Sequence, residues 1–162
     1  PNGTDSAISG AWERGDPEAT TSSGTKQLGA TTSGRNDLIT ARLAGASAGV
    51  NDIDGGVTSI RSPAIALPAT GTLTLTFSQY LPHGSNATSA DFLGVSVVGT
   101  STTSVVFQRL ASATDVDGAW ATQTASLNAF AGQTIRLLIE AADAGTASLV
   151  EAGIDDVRIT QN

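Results

Sequence analysis

Hydrophobic and polar positions alternate along most of this chain. In "TLTLTF" (72–77), Leu73, Leu75 and Phe77 fall on one side and Thr72, Thr74 and Thr76 on the other, the period-two pattern of a half-buried β-strand. "DFLGVSVV" (91–98) repeats it with Leu93, Val95 and Val97, and "QTIRLLIEA" (133–141) with Ile135, Leu137 and Ile139. The same reading predicts strands over 38–43, 58–67, 104–110 and 120–127, and a closing strand in "EAGIDDVRIT" (151–160). "DIDGG" (52–56), "LPAT" (67–70), "HGSN" (83–86), "DVDG" (115–118) and "DAGT" (143–146) supply the Gly, Pro, Asn and Asp of turns. "DVDG" is expected to close a hairpin, and "NAFAGQ" (128–133) offers no more than one helical turn. Short strands at this spacing predict an all-β fold, a two-sheet antiparallel β-sandwich of jelly-roll type.

The pattern fails over residues 1–37, which hold few large apolar side chains beyond Ile8, Trp12 and Leu28. "ATTSSGTKQLGATTSG" (19–34) is too polar to form a core of its own. The expectation is one domain over 1–162, with 1–37 wrapping as a loop-rich segment around a sandwich core of 38–162. "RGDP" (14–17) reads as a turn within the wrap.

Composition removes several function classes. Fifteen acidic residues stand against eight basic ones, with Lys26 the sole lysine, so a nucleic-acid partner, which needs a basic stripe, is not expected. Nothing approaches the ~18 apolar residues of a spanning helix, and no basic-then-apolar leader opens the sequence. The chain reads as soluble, without membrane insertion, and monomeric. Its acidic, Thr/Ser/Gly/Ala-rich composition points to a secreted, extracellular bacterial protein. His83 is the single histidine and cysteine is absent, which excludes a multi-histidine zinc site and a cysteine nucleophile. There is no G-x-S-x-G elbow and no P-loop. Aromatic residues make up only 4% of the chain, against the several rings of a sugar-cleaving cleft, so the chain is read as not an enzyme.

Oxygen ligands for a hard cation are what remains. Calcium accepts carboxylates, carbonyls and water in irregular geometry, and three groups of acids suit it: Asp52 with Asp54, Asp155 with Asp156, and the early acids that include Glu13 and Asp37. Asp52 and Asp54 serve equally well as turn residues, since Asp before Gly is common turn chemistry. Asp155 and Asp156 pose the sharper problem. Neighbouring strand residues point to opposite faces, so one of the two must face inward or sit at a kink. A buried carboxylate then demands a cation, an arginine or a fan of backbone N–H groups. A structural calcium joining the closing strand to the start of the chain accounts for the pair.

"GAWERGDPEAT" (10–20), "NDIDGGVTSIRSPAIALP" (51–68), "LTLTFSQYL" (73–81), "DFLGVSVVG" (91–99) and "SLVEAGIDDVRIT" (148–160) together resemble the jelly-roll accessory domains that follow the catalytic unit of secreted bacterial peptidases, notably zinc carboxypeptidases. Those domains are similar in turn to the MAM domain. The resemblance implies a jelly roll without activity of its own and a calcium site that includes the closing acidic pair. MAM-type domains open with an aromatic–Glu pair that serves the metal; nothing upstream of Asp5 matches it, and Glu13 in "WERG" is the available substitute. Two functions follow: an accessory domain that binds a polysaccharide or glycoprotein surface, or a structural domain that docks a parent catalytic domain. The candidate sugar contacts are the rings of Trp12 and Tyr80, with His83 and Asn86 in the "HGSNATS" loop (83–89).

Overall fold

Strands form where the alternation places them, and the computed structural model, which describes residues 3–162, stacks them as two antiparallel sheets in a jelly roll. One sheet carries, edge to edge, β1 (Trp12–Gly15), β2 (Asp37–Thr40), β10 (Gly153–Gln161), β5 (Leu73–Tyr80) and β8 (Ala121–Ser126). The other carries β3 (Gly56–Arg61), β9 (Thr134–Asp143), β6 (Phe92–Val98) and β7 (Thr103–Leu110), with the short β4 (Ile65–Ala66) added along β9. Leu73, Leu75 and Phe77 of β5 meet Leu93, Val95 and Val97 of β6 and Ile135, Leu137 and Ile139 of β9 in one buried cluster. Each such side chain contributes roughly 1.5–3 kcal/mol on burial, so the apolar rows of β5, β6 and β9 lie in the space between the sheets. Phe77 also meets Phe107 edge to face, with ring centroids 5.4 Å apart. No helix among the described residues is long and apolar enough to cross a membrane.

Three boundaries differ from the sequence expectation. The strand expected over 58–67 is split at Ser62 and Pro63 into β3 and β4: proline has no N–H for the ladder, while Ser62 donates its N–H to the Leu137 carbonyl and accepts the Leu137 N–H on its hydroxyl. β2 ends at Thr40 rather than 43 because Ala41 takes a left-handed conformation (φ 58°). β1 lies inside the segment expected to be loop, paired to β2 from Trp12↔Thr40 to Gly15↔Asp37. The helical turn near 128 is a short 3-10 turn, Asn128–Phe130.

The stretch from 16 to 36 carries no strand beyond an isolated Thr21↔Thr25 bridge. Lys26 pins it. Its side chain is fully buried, and its ammonium reaches Asp115 at 2.9 Å, Asp117 at 3.0 Å and the Val116 carbonyl at 3.2 Å. Burial works against the charged form, but the two carboxylates outweigh it and raise the lysine above its ordinary value. "DVDG" is therefore not a hairpin turn. It belongs to a loop whose Val116 bridges His83 and whose two acids grip Lys26. Trp120 adds a second anchor by donating to the Ala30 carbonyl at 2.8 Å.

Hydrogen bonds to a charged group are worth about 1.5–3 kcal/mol each, less where a partner is as exposed as Asp117. Lys26→Ala should lower stability by about 2 kcal/mol and speed amide exchange over residues 19–31 while leaving β5 and β9 protected. Unchanged exchange in the segment would show that Lys26 does not hold it.

Candidate functional site

The five-stranded sheet turns its second face away from the core, and that face is polar because the residues alternating with Leu73, Leu75 and Phe77 are hydroxylic. Thr74, Thr76 and Ser78 of β5 pair with Ser126, Thr124 and Thr122 of β8 on one side, and Thr74 and Thr76 with Thr160 and Arg158 of β10 on the other. Beyond β10 lie Asp37 and β2. Tyr80, two residues beyond Ser78, falls on the same face but is buried.

The closing acids resolve through a kink. The ladder between β10 and β5 slips between Asp155 and Arg158, and Asp156 adopts φ 53°, a left-handed conformation that Asp tolerates better than most residues. Asp155 Oδ2 accepts the Thr32 N–H at 2.8 Å, the Thr32 hydroxyl at 2.7 Å and the Ser33 N–H at 3.0 Å, and Oδ1 accepts the Asp156 N–H at 2.8 Å. Asp156 accepts the Ser33 hydroxyl at 2.9 Å and Arg158 at 3.0 Å. Ser33 and Arg158 hold its carboxyl below the usual range. The fan of donors and the arginine that such a pair demands are both present: Thr32 and Ser33 come from the wrapping segment, and Arg158 from β10 itself.

Asp37 is different. The register Ile154↔Leu38 sets it one step on, beside Asp155. It is 2% exposed, and neither carboxylate oxygen has a hydrogen-bond partner. It lines an open cavity of about 500 Å³ with Arg14, Ser33, Arg35, Asp155 and Asp156. A second depression of about 240 Å³, lined by Thr76, Ser78, Thr122, Asp156 and Arg158, shares Asp156 with the first. The two adjoin at Asp156, and together they are the groove of this candidate site. Burial, and then the charges of Asp155 and Asp16, push Asp37 up to about 7.

The remaining metal candidates lie outside this groove. Glu13 is exposed, 3.8 Å from Arg42. Asp52 and Asp54 sit where Ser9 donates 2.7 Å to the Asp52 carbonyl and 3.2 Å to Asp54 Oδ2. The following Gly55 and Gly56 (φ 75° and 137°) turn the chain into β3 in conformations that favour glycine. Asp52 is 4% exposed with Oδ1 unpartnered, and burial, then Asp54, push it up to about 7. Among the described residues no three His, Cys, Asp or Glu side chains are already arranged to hold an ion.

The four expected sugar contacts do not come together as a platform. Trp12 is a core residue whose indole N–H donates to the Thr58 carbonyl. Tyr80 does point outward, but it is 0% exposed, stacked edge to face on Trp120 at 4.6 Å. A side chain added at Gly153 would collide with its ring, so β10 passes it closely. His83 is buried between Val116 and Val150. Asn86 alone is exposed, and its amide holds the Ala147 carbonyl. The wrapping segment and the core have claimed the rings.

Sequence reasoning passed over three acids. Glu151 is buried and accepts the Thr20 hydroxyl on both oxygens, at 2.8 and 3.0 Å; burial pushes it up to about 7, the Thr20 bond partly opposing. Asp143 is buried against Ser148, and Asp91 accepts the N–H groups of Thr88, Ala144 and Gly145. The signal was available for Glu151 and Asp143, because each adjoins an apolar strand run without a basic neighbour in sequence.

No family model matches the sequence, and no characterised protein matches it significantly. Solved structures do. The K3 cleaved adhesin domain of Lys-gingipain from Porphyromonas gingivalis is similar over 96% of this chain and 94% of its own, with a TM-score of 0.50 at 16% identity. TmCBM61, solved with β-1,4-galactotriose, covers 81% of this chain and 74% of its own, with a TM-score of 0.49 at 12% identity. The N-terminal cellulose-binding domain of Cellulomonas fimi β-1,4-glucanase C covers 94% and 89%, with a TM-score of 0.44 at 13% identity. At these identities the adhesin domain shows a shared fold.

The raised carboxyls of Asp37, Asp52 and Glu151 have a definite sign. A folded value near 7 against an unfolded value of roughly 4 means that the native state holds the extra protons between those limits. Stability from these groups is full below about pH 4 and lost as pH rises to about 7. In a chelating buffer the urea midpoint should fall steadily from pH 5 to pH 7.5; a flat or rising profile would show that these carboxyls titrate normally.

Proposed function

We propose that this chain is a non-catalytic, carbohydrate-binding accessory domain of a secreted bacterial hydrolase, and that the groove on the outer face of the five-stranded sheet is its binding surface. The adjacency of two depressions carries the reading: they share Asp156, one lined by Thr76, Thr122 and Arg158 and the other by Asp37. A polysaccharide presents rows of hydroxyls that both donate and accept. Threonine hydroxyls, a guanidinium and a carboxylate match them in kind, so recognition here is by hydrogen bonding rather than by stacking on rings.

Calcium is the ion implied by the family resemblance, and the acids differ in how well they fit it. Asp155 is committed to Thr32, Ser33 and the Asp156 N–H, Asp156 to Ser33 and Arg158, and Glu13 lies toward Arg42. Asp37 fits best: both its oxygens are free of side-chain donors, and a positive charge there would also relieve its repulsion with Asp155 on the adjacent strand. Asp37 would hold the ion, whose charge would settle the groove wall.

A second reading, docking onto a parent catalytic domain, is supported by β7. It is a sheet edge with Val105 65% and Leu110 50% exposed, and such edges offer unpaired backbone groups to another chain.

A glycan array run in calcium and again in chelator separates the two. The proposal expects polysaccharide binding that drops at least tenfold in Arg158→Ala and Thr122→Val, and further on chelation or in Asp37→Asn. Absence of glycan binding in both buffers would remove it and leave the docking role.

A further inference from the structure

The groove is charged differently from the rest of the molecule. The chain carries fifteen acids against eight basic residues, a net charge of −7. Three of those eight bases, Arg14, Arg35 and Arg158, line the two depressions, against only three of the fifteen acids, Asp37, Asp155 and Asp156. Opposite charges are therefore equal in number here, and the acids are the more fully engaged. Asp155 accepts from Thr32, Ser33 and the Asp156 N–H, and Asp156 from Ser33 and Arg158. Asp37 is buried. The arginines keep donors to offer, because a guanidinium carries five N–H groups in a planar fork. Arg158 gives one nitrogen to Asp156 at 3.0 Å and Arg35 one to Asp16 at 3.3 Å, and these two arginine side chains are 68% and 86% exposed. Exposed pairs of this kind are worth little, so a ligand carboxylate can share or replace them. Arg14 is exposed and, among the described residues, has no ion pair. A solvated arginine needs no partner, but three of them with free forks around two adjoining depressions form a surface for an anion.

We propose that the groove selects acidic polysaccharides, chains of uronic acid residues, over neutral glycans; this rests on the groove being the glycan-binding surface. A uronate chain offers both of the chemistries that the lining can answer. Its ring hydroxyls suit Thr76, Ser78 and Thr122 of the second depression. Its carboxylates suit the guanidinium forks, which take two oxygens at once in short, charge-assisted hydrogen bonds. A neutral glycan meets the hydroxyls equally well but leaves the forks to water. The acidity of the remaining surface sharpens the choice of place, since it repels a polyanion everywhere except where the arginines gather.

The test is calorimetric titration of the full chain, in chelator, with polygalacturonate, polyglucuronate and polymannuronate, each beside its own methyl ester, which keeps the hydroxyls and removes the charge. At least one acidic polymer should bind about tenfold more tightly than its ester, and raising sodium chloride from about 0.05 M to about 0.5 M should weaken that binding but not binding of the ester. Arg14→Ala and Arg35→Ala, both at exposed positions that the fold does not need, should each weaken the acidic polymer severalfold and leave the ester unchanged. Arg136→Ala, exposed on β9 of the other sheet, should change neither. Esters that bind as tightly as the acids would overturn the proposal, as would an equal loss in Arg136→Ala, which would mark diffuse charge attraction. Failure of every uronate polymer to bind would also overturn it: binding of a neutral glycan in the same buffer would then leave the groove reading standing, and binding of no glycan at all would remove both.

Discussion

Among the described residues, five carboxylates, those of Asp37, Asp52, Asp91, Asp143 and Glu151, lie almost wholly out of water, against one buried ammonium. An isolated charge in such surroundings costs several kcal/mol unless it is neutralised or hydrogen-bonded, so each acid must be answered locally. The architecture of the loops follows from how that is done. Asp91 is met by the backbone of 88 and 144–145, Asp143 by Ser148 and Glu151 by Thr20. Lys26 spends its charge on Asp115 and Asp117 instead. Asp37 and Asp52 are left with unmatched oxygens, and these two positions are where an external positive charge or a donor from a ligand has most to add.

The wrapping segment is part of the same accounting. Thr20, Thr32 and Ser33 supply donors to acids more than 120 positions away in sequence, and Lys26 fastens the intervening chain to the loop before β8. A stretch too polar to build a core is thus ordered by closing polar contacts over one that already exists. Its cost is access: by covering Tyr80 and engaging Trp120 through Ala30, it removes the rings that a sugar platform would use, and leaves the hydroxyl-lined part of the face open.

The sandwich was legible in the sequence because period-two alternation depends on local chemistry alone. β6 and β9 fall within two residues of their expected bounds at each end, and β5 begins within one but runs three residues further, to Tyr80. The adjacent acids of the closing strand also left only an inward carboxylate or a kink, since two neighbours cannot both face outward on a regular strand, and the structure takes the kink. What answers them was not legible. Ser33 and Thr32 lie in a low-complexity run with nothing to mark them, and contacts across such separations are set by the fold rather than by neighbours. For the same reason Lys26 looked like an ordinary surface residue, "DVDG" like a hairpin, and Trp12 and Tyr80 like exposed rings. Asp37 and Asp52 were picked out as acids, but their burial without donors exists only in three dimensions.

The claim that two interior carboxylates lack sufficient partners within the protein is tested most directly by carboxyl carbon NMR of Asp37 and Asp52, titrated with pH in chelator and again in calcium. The account predicts midpoints near 7 for both in chelator, with calcium lowering that of Asp37 by more than one unit. Ordinary midpoints near 4 in chelator would contradict it, and an Asp37 midpoint that calcium does not move would contradict the ion there.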